Sequence, residues 1–156
     1  MAGVRAGGPD DGAEPFAVDA SRLSALPAST AELCGDITAF DARRAEAETS
    51  ERQDPLYWVD LEVARGWVLI GDNGQGDEWW LGPHSDVWFF DHTDGERAVS
   101  RFTPMHVSIT EWLMVGHVLH ALEQIDEPAA RDHDRIRAAL DAISPELSVR
   151  WPYELF

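Results

Sequence analysis

Apolar positions recur at two spacings in this chain, with alternation and short runs in the middle and helical stripes towards the end. Residues 56–63 (LYWVDLEV) alternate and set Tyr57, Val59, Leu61 and Val63 on one face of an expected strand. Residues 67–70 form a continuous apolar run, the pattern of a strand buried on both sides. Residues 78–81 and 86–91 read as two more strands joined through Gly82-Pro83-His84-Ser85, and residues 97–102 as another. Asn73-Gly74 and the glycines around it mark 71–77 as a compact turn, because glycine reaches positive φ without a steric penalty. The result is a meander of short, mainly antiparallel strands.

Helices are expected at both ends. Ser108-Ile109-Thr110-Glu111 has capping-box spacing and opens a helix to about Gln124, with Trp112, Val115, Leu119 and Leu122 on its core stripe. Pro128 suits the first turn of a second helix striped by Ile136, Leu140 and Ile143, which Ser144-Pro145 ends. Nearer the start, Ser29-Thr30-Ala31-Glu32 also has capping-box spacing, but Gly35 stops a helix there after little more than a turn. Residues 36–40 (DITAF) then read as a short strand, and Asp41 as the N-cap of a polar helix over 42–53. A single helix over 30–52, with Leu33, Ile37 and Phe40 at helical spacing, is the competing reading. Residues 1–15 are rich in Gly, Pro, Asp and Ala without periodicity and read as a tail. No linker divides 16–156, so the expectation is one α+β domain, a mixed and mainly antiparallel sheet with helices packed on it.

Composition narrows the choice of function. The chain has 156 residues, 44% of them hydrophobic, and a net charge of −17 with no lysine at all. That is too apolar for a disordered acidic chain. Phosphate binding needs a basic face, so nucleic acid is excluded as the main partner, and an anionic membrane is disfavoured for the same reason. Cys34 is the only cysteine, which rules out an internal disulfide and a cysteine-rich zinc site. The start of the chain lacks the apolar run of a secretory signal and no window is apolar enough to span a bilayer, so a cytoplasmic location is expected.

Each catalytic motif that suggests itself lacks a necessary part. GDNGQGD at 71–77 resembles a phosphate loop, yet no lysine follows and Asp72, Asp77 and Glu78 would repel phosphate. The same stretch lacks the acid spacing of a calcium loop. His117, His120 and Glu123 share a helical face able to hold a metal, but without H-E-x-x-H a solvated polar face is the better reading. Cys34 has no basic neighbour closer than Arg43 to activate it. No catalytic residues, cofactor or metal are therefore assigned.

Charge and aromatics do coincide. Residues 56–100 hold 9 acidic residues against 2 arginines, together with Trp58, Trp67, Trp79, Trp80 and Trp88. Most of these tryptophans belong in a core. One or two at the sheet rim, ringed by acid, would make an anchor for a basic protein. The predicted contact surface is Asp72, Asp77, Glu78, Asp91, Asp94 and Glu96, with Trp79 or Trp80 as anchor.

The blocks WVLIGDNGQGD (67–77), EWWL (78–81), VWFFDH (87–92) and SITEWL (108–113), taken in order, resemble the SMI1/KNR4 family of the SUKH superfamily. The resemblance implies an α+β binding module without common catalytic residues. Its bacterial members are largely regarded as immunity proteins that neutralise toxin domains, often nucleases, and eukaryotic relatives act in regulation. It therefore implies a basic protein partner such as a cognate toxin domain, or alternatively a regulatory scaffold binding host proteins. Leu26-Pro27 only hints at the family's usual N-terminal segment, and residues 126–156 extend past its usual closing helix.

Overall fold

The chain runs back and forth through one antiparallel sheet, and successive strands are always neighbours. The computed structural model describes residues 18–155, so the expected tail over 1–15 lies outside the described residues. Among the described residues six strands pair in the order β1 (Ala31–Cys34), β2 (Ile37–Ala39), β3 (Val68–Asp72), β4 (Glu78–Leu81), β5 (Val87–Phe90) and β6 (Thr103–Pro104). Every strand pair is antiparallel; a single isolated bridge, Trp58 to Arg97, is parallel. The helices are α1 (Ala42–Arg52), α2 (Leu61–Ala64), α3 (Ile109–Glu123), α4 (Ala130–Ile143) and α5 (Leu147–Arg150). The fold class is α+β. No helix among the described residues is long and apolar enough to cross a membrane.

Local chemistry explains where the expected elements hold and where they fail. The break at Gly35 is real: with φ +51° it forms, with Asp36, the two-residue turn that pairs Cys34 with Ile37. Residues 31–34 are nonetheless a strand and not a helical turn, because Thr30 is already engaged elsewhere. Its backbone N–H and its hydroxyl both donate to Asp41 Oδ2, each at 3.0 Å, while Asp41 Oδ1 accepts from the Arg44 N–H at 2.9 Å and caps α1. The expected strand over 56–63 is also absent. Asp54 accepts from the Leu56 N–H at 2.8 Å and closes a turn, and Asp60 accepts from the Glu62 N–H at 3.0 Å and starts α2. Only Trp58 of that segment is buried outright along with Ala64 after it. The expected strand over 97–102 is absent: Arg97 makes only the isolated bridge to Trp58, Val99–Arg101 is a 3₁₀ turn, and the two-residue strand Thr103–Pro104 follows, kept short by a proline that cannot donate to a ladder. Pro128 stands just ahead of α4, whose N-cap is Ala129.

The sheet is covered on both faces. One face carries Trp79 and Phe89 against Trp112 of α3 and the C-terminal Trp151, with the Trp79 and Trp151 rings stacked at 5.0 Å. The other carries Trp80 and Phe90 against Trp58, Trp67 and Phe102, with α1 alongside. Close approach is what permits this packing. A Cβ at Gly71 would lie 2.7 Å from Trp112 Cη2 and 2.6 Å from the Thr38 carbonyl, so only glycine lets α3 settle on β3.

Candidate functional site

In a meander alternate turns meet at one end of the sheet. Here the β1–β2 turn at Gly35-Asp36, the β3–β4 turn over 73–77 and the loop leaving β5 over 91–96 share that end. The C-terminal end of α3 and the tail through Tyr153 and Leu155 close over it. Glu123 of α3 accepts a hydrogen bond from the Gly35 N–H, tying helix to turn.

The β3–β4 turn, the loop leaving β5 and the tail are fastened to one another by a single carboxylate. Asn73 Oδ1 accepts from the N–H groups of Gln75 and Asp77, at 3.0 and 2.8 Å, and shapes the β3–β4 turn. Asp77 Oδ1 accepts from the His92 N–H at 3.2 Å and lies 2.7 Å from His92 Nδ1. Its Oδ2 accepts from Asn73 Nδ2 at 2.9 Å and from the Tyr153 hydroxyl at 3.0 Å. Burial works against the charge on Asp77, but the donors from His92, Tyr153 and Asn73 outweigh it and hold the carboxyl below its ordinary value. The same hydrogen bond, with the nearby carboxylates, raises the His92 imidazole.

Asp77, Asp91 and His92 each bring a potential metal-ligand atom within 4.8 Å of the others. Asp77 has no lone pair to spare, because each of its oxygens already accepts two protein donors. The cluster is a structural tie. His120 lies 3.3 Å from Glu123, and His117 is not drawn into a three-ligand group with them among the described residues.

The predicted contact surface is corrected in its aromatic half. Trp79 and Trp80 are 0% and 1% exposed. Alternation sends them to opposite faces, and because both faces are covered both rings are core. Glu78 is buried too. It takes Arg52 Nε at 3.0 Å, Arg97 through both Nε and Nη2, and the Trp80 indole N–H at 3.0 Å. Asp77 is the buried hub, and Asp72 is half-buried with Arg44 at 3.9 Å, its carboxyl pushed up by that burial. Asp91, Asp94 and Glu96 remain at or near the surface.

Sequence reasoning missed the carboxylates that join them. Asp36, Glu123 and Glu154 rim a groove of about 280 Å³ floored by Cys34, Ile37, Leu119 and Leu122. These acids come from three distant segments, and no local spacing announces them. Burial, then the neighbouring Glu123, pushes the Cys34 thiol up to about 12, so it is an inert part of the floor. No family model matches the chain, and neither a curated protein nor a solved structure matches it.

Proposed function

We propose that this chain is a non-enzymatic binding module of immunity type, acting in the cytoplasm, that holds a basic protein domain such as a toxin against the acidic end of its sheet. The observation that carries this reading is the gathering of exposed or half-exposed carboxylates at that end: Asp36, Asp91, Asp94, Glu96, Glu123 and Glu154. Arg43 and Arg101 are exposed, Arg101 donating to the Glu96 carbonyl at 2.6 Å, while the other arginines on the neighbouring elements are paired with acids of the chain. Arg52 and Arg97 are spent on Glu78, and Arg44 on Glu48 and Asp72. A toxin that cuts nucleic acid must carry positive charge to hold it, and a rigid acidic surface competes for that charge while speeding association. Rigidity comes from the Asp77 hub, and the resemblance to the SMI1/KNR4 family supports the immunity role.

The test is affinity capture from the native host with the wild-type chain and with the variant Asp36→Arg, Asp94→Arg, Glu96→Arg. The wild type should retain a basic protein at one-to-one stoichiometry, released by salt, and co-expression should protect cells that make that protein. The variant should associate at least roughly tenfold more slowly at low salt. Equal capture by the variant removes the acidic end as the contact surface. A captured partner that is harmless to cells makes the chain a regulatory scaffold instead.

A further inference from the structure

The groove between the end of α3, the β1–β2 turn and the tail has both its walls fixed before anything binds. On one side the Gly35 N–H donates to Glu123, which holds the turn against the helix. On the other, Trp151 stacks on Trp79 at 5.0 Å and the Tyr153 hydroxyl donates to Asp77 at 3.0 Å, which holds the tail against the sheet. Ile37 and Leu119 form a buried apolar floor, and the half-buried Leu122 and Leu155 complete it. Around that floor stand Asp36, Glu123 and Glu154, all three exposed, and no arginine or lysine lines the groove. Asp36 accepts from Gln75 Nε2 at 3.5 Å and Glu123 lies 3.3 Å from His120 Nδ1. Arg150, next to Trp151 in the chain, is taken up elsewhere, donating to the Met105 carbonyl at 3.2 Å and to Ser144 Oγ at 2.9 Å.

We infer that this groove seats one arginine side chain of the protein partner, its methylenes on the apolar floor and its guanidinium among Asp36, Glu123 and Glu154. At about 280 Å³ the groove falls short of the roughly 300–1,000 Å³ of a pocket for a drug-sized ligand. It exceeds the about 150 Å³ that holds benzene, so its size is that of one long side chain. Charge complementarity selects a cation, because the rim carries three carboxylates and the lining no arginine or lysine. An aliphatic stem with its charge at the tip satisfies floor and rim together. Arginine meets this rim better than lysine does. The carboxylates come from three segments, and a planar fork of five N–H donors serves several acceptors at once, whereas an ammonium acts as a point charge. Arginine is also enriched among the residues that anchor interfaces. A second copy of the chain would bring its own net charge of −17 against the same rim, and anionic lipid is repelled likewise.

This inference rests on the proposed function for the basic character of the partner and names the side chain that anchors it, but its test needs no partner. A short capped peptide with one arginine between glycines is titrated into the full chain while backbone amide shifts are followed by NMR. Saturable shifts are expected at residues 34–37, 119–123 and 151–155. Replacing the arginine by citrulline, which keeps the shape and loses the charge, should weaken binding at least about tenfold, and a lysine peptide should bind less tightly than the arginine one. Glu123→Gln with Glu154→Gln in the protein should weaken it comparably with the unfolding midpoint unchanged. Both side chains are exposed, and glutamine keeps an acceptor for the Gly35 N–H. Asp94→Arg with Glu96→Arg, outside the groove, should leave peptide binding as it was. Absence of saturable shifts, equal binding of the citrulline or lysine peptide, or loss of binding in the Asp94→Arg, Glu96→Arg chain would each overturn the assignment. Tighter binding in Arg5→Gln would overturn it too, by giving the groove to the chain's own N-terminal segment. If a captured basic partner ignores Glu123→Gln, Glu154→Gln but is lost with Asp94→Arg, Glu96→Arg, the groove falls and the acidic end stands. An arginine peptide seated in the groove, with no basic partner captured from the host, sinks the proposed function alone.

Discussion

Two adjacent carboxylates, Asp77 and Glu78, are the least exposed charged residues among those described, and each is tied to a different part of the molecule. Glu78 faces the Arg52 and Arg97 side and is 3% exposed. Removing one member of a buried ion network strands the others, so Glu78→Ala should cost about 3–5 kcal/mol, read from the denaturant midpoint. A Glu78→Met, Arg97→Leu double variant should recover much of that loss, because no buried charge is then left unpaired on the β4 side. Asp77 and His92 give a pH signature. The pKa of His92 is raised above 6.5 in the folded chain, so its contribution is full below 6.5 and fades as pH rises through the raised value. That of Asp77 is lowered below 3.8, so its contribution is present above 3.8 and fades as pH falls through the lowered value. The thermal midpoint gap between wild type and His92→Gln should therefore be wider near pH 5.5 than near pH 8.5. An equal gap at both would show that the imidazole charge contributes nothing.

At the scale of elements, aspartates decide where strands and helices begin. Asp41 caps α1 and holds Thr30 at the entry to β1, so it joins a helix to a hairpin. Asp41→Ala should lower the urea midpoint by removing a cap, whereas Asp41→Asn, which keeps an acceptor for the Arg44 N–H, should lower it less. Urea unfolding of both variants checks this. The same residue type misleads over 56–63. The alternation of LYWVDLEV is a correct reading of apolarity and a wrong reading of backbone, because Asp54 and Asp60 offer their carboxylates to backbone N–H groups and curl the chain. The side chains expected on a buried strand face, Tyr57, Val59 and Val63, stand in solvent as a result.

At the scale of the whole molecule, covering both faces of the sheet spends nearly all the tryptophan on the core. Trp112 sits at the tightest point, fully buried against Trp79 and above Gly71. Trp112→Ala should cost about 3–5 kcal/mol, and Gly71→Ala about 1–3 kcal/mol by overpacking the same contact from the other side. Because the two substitutions share one space, the double variant should lose less than the sum, a coupling that thermal unfolding can measure.

What the sequence alone determines about this protein is local. The strands around 68–72, 78–81 and 87–90, the turn at Asn73-Gly74, and the caps Asp41 and Ser108 all follow from hydrogen bonds and side-chain alternation within a few residues. The overall acidity is legible in the same way. Tertiary structure alone decides that Trp79 and Trp80 are both interior, since that depends on helices from either end of the chain closing both faces. It alone brings Asp36, Glu123 and Glu154 to the end that holds Asp91, Asp94 and Glu96, because strand order and the docking of α3 fix contacts between residues that are far apart in sequence. Neighbouring residues can encode a turn, but only the packed sheet can turn scattered carboxylates into a surface.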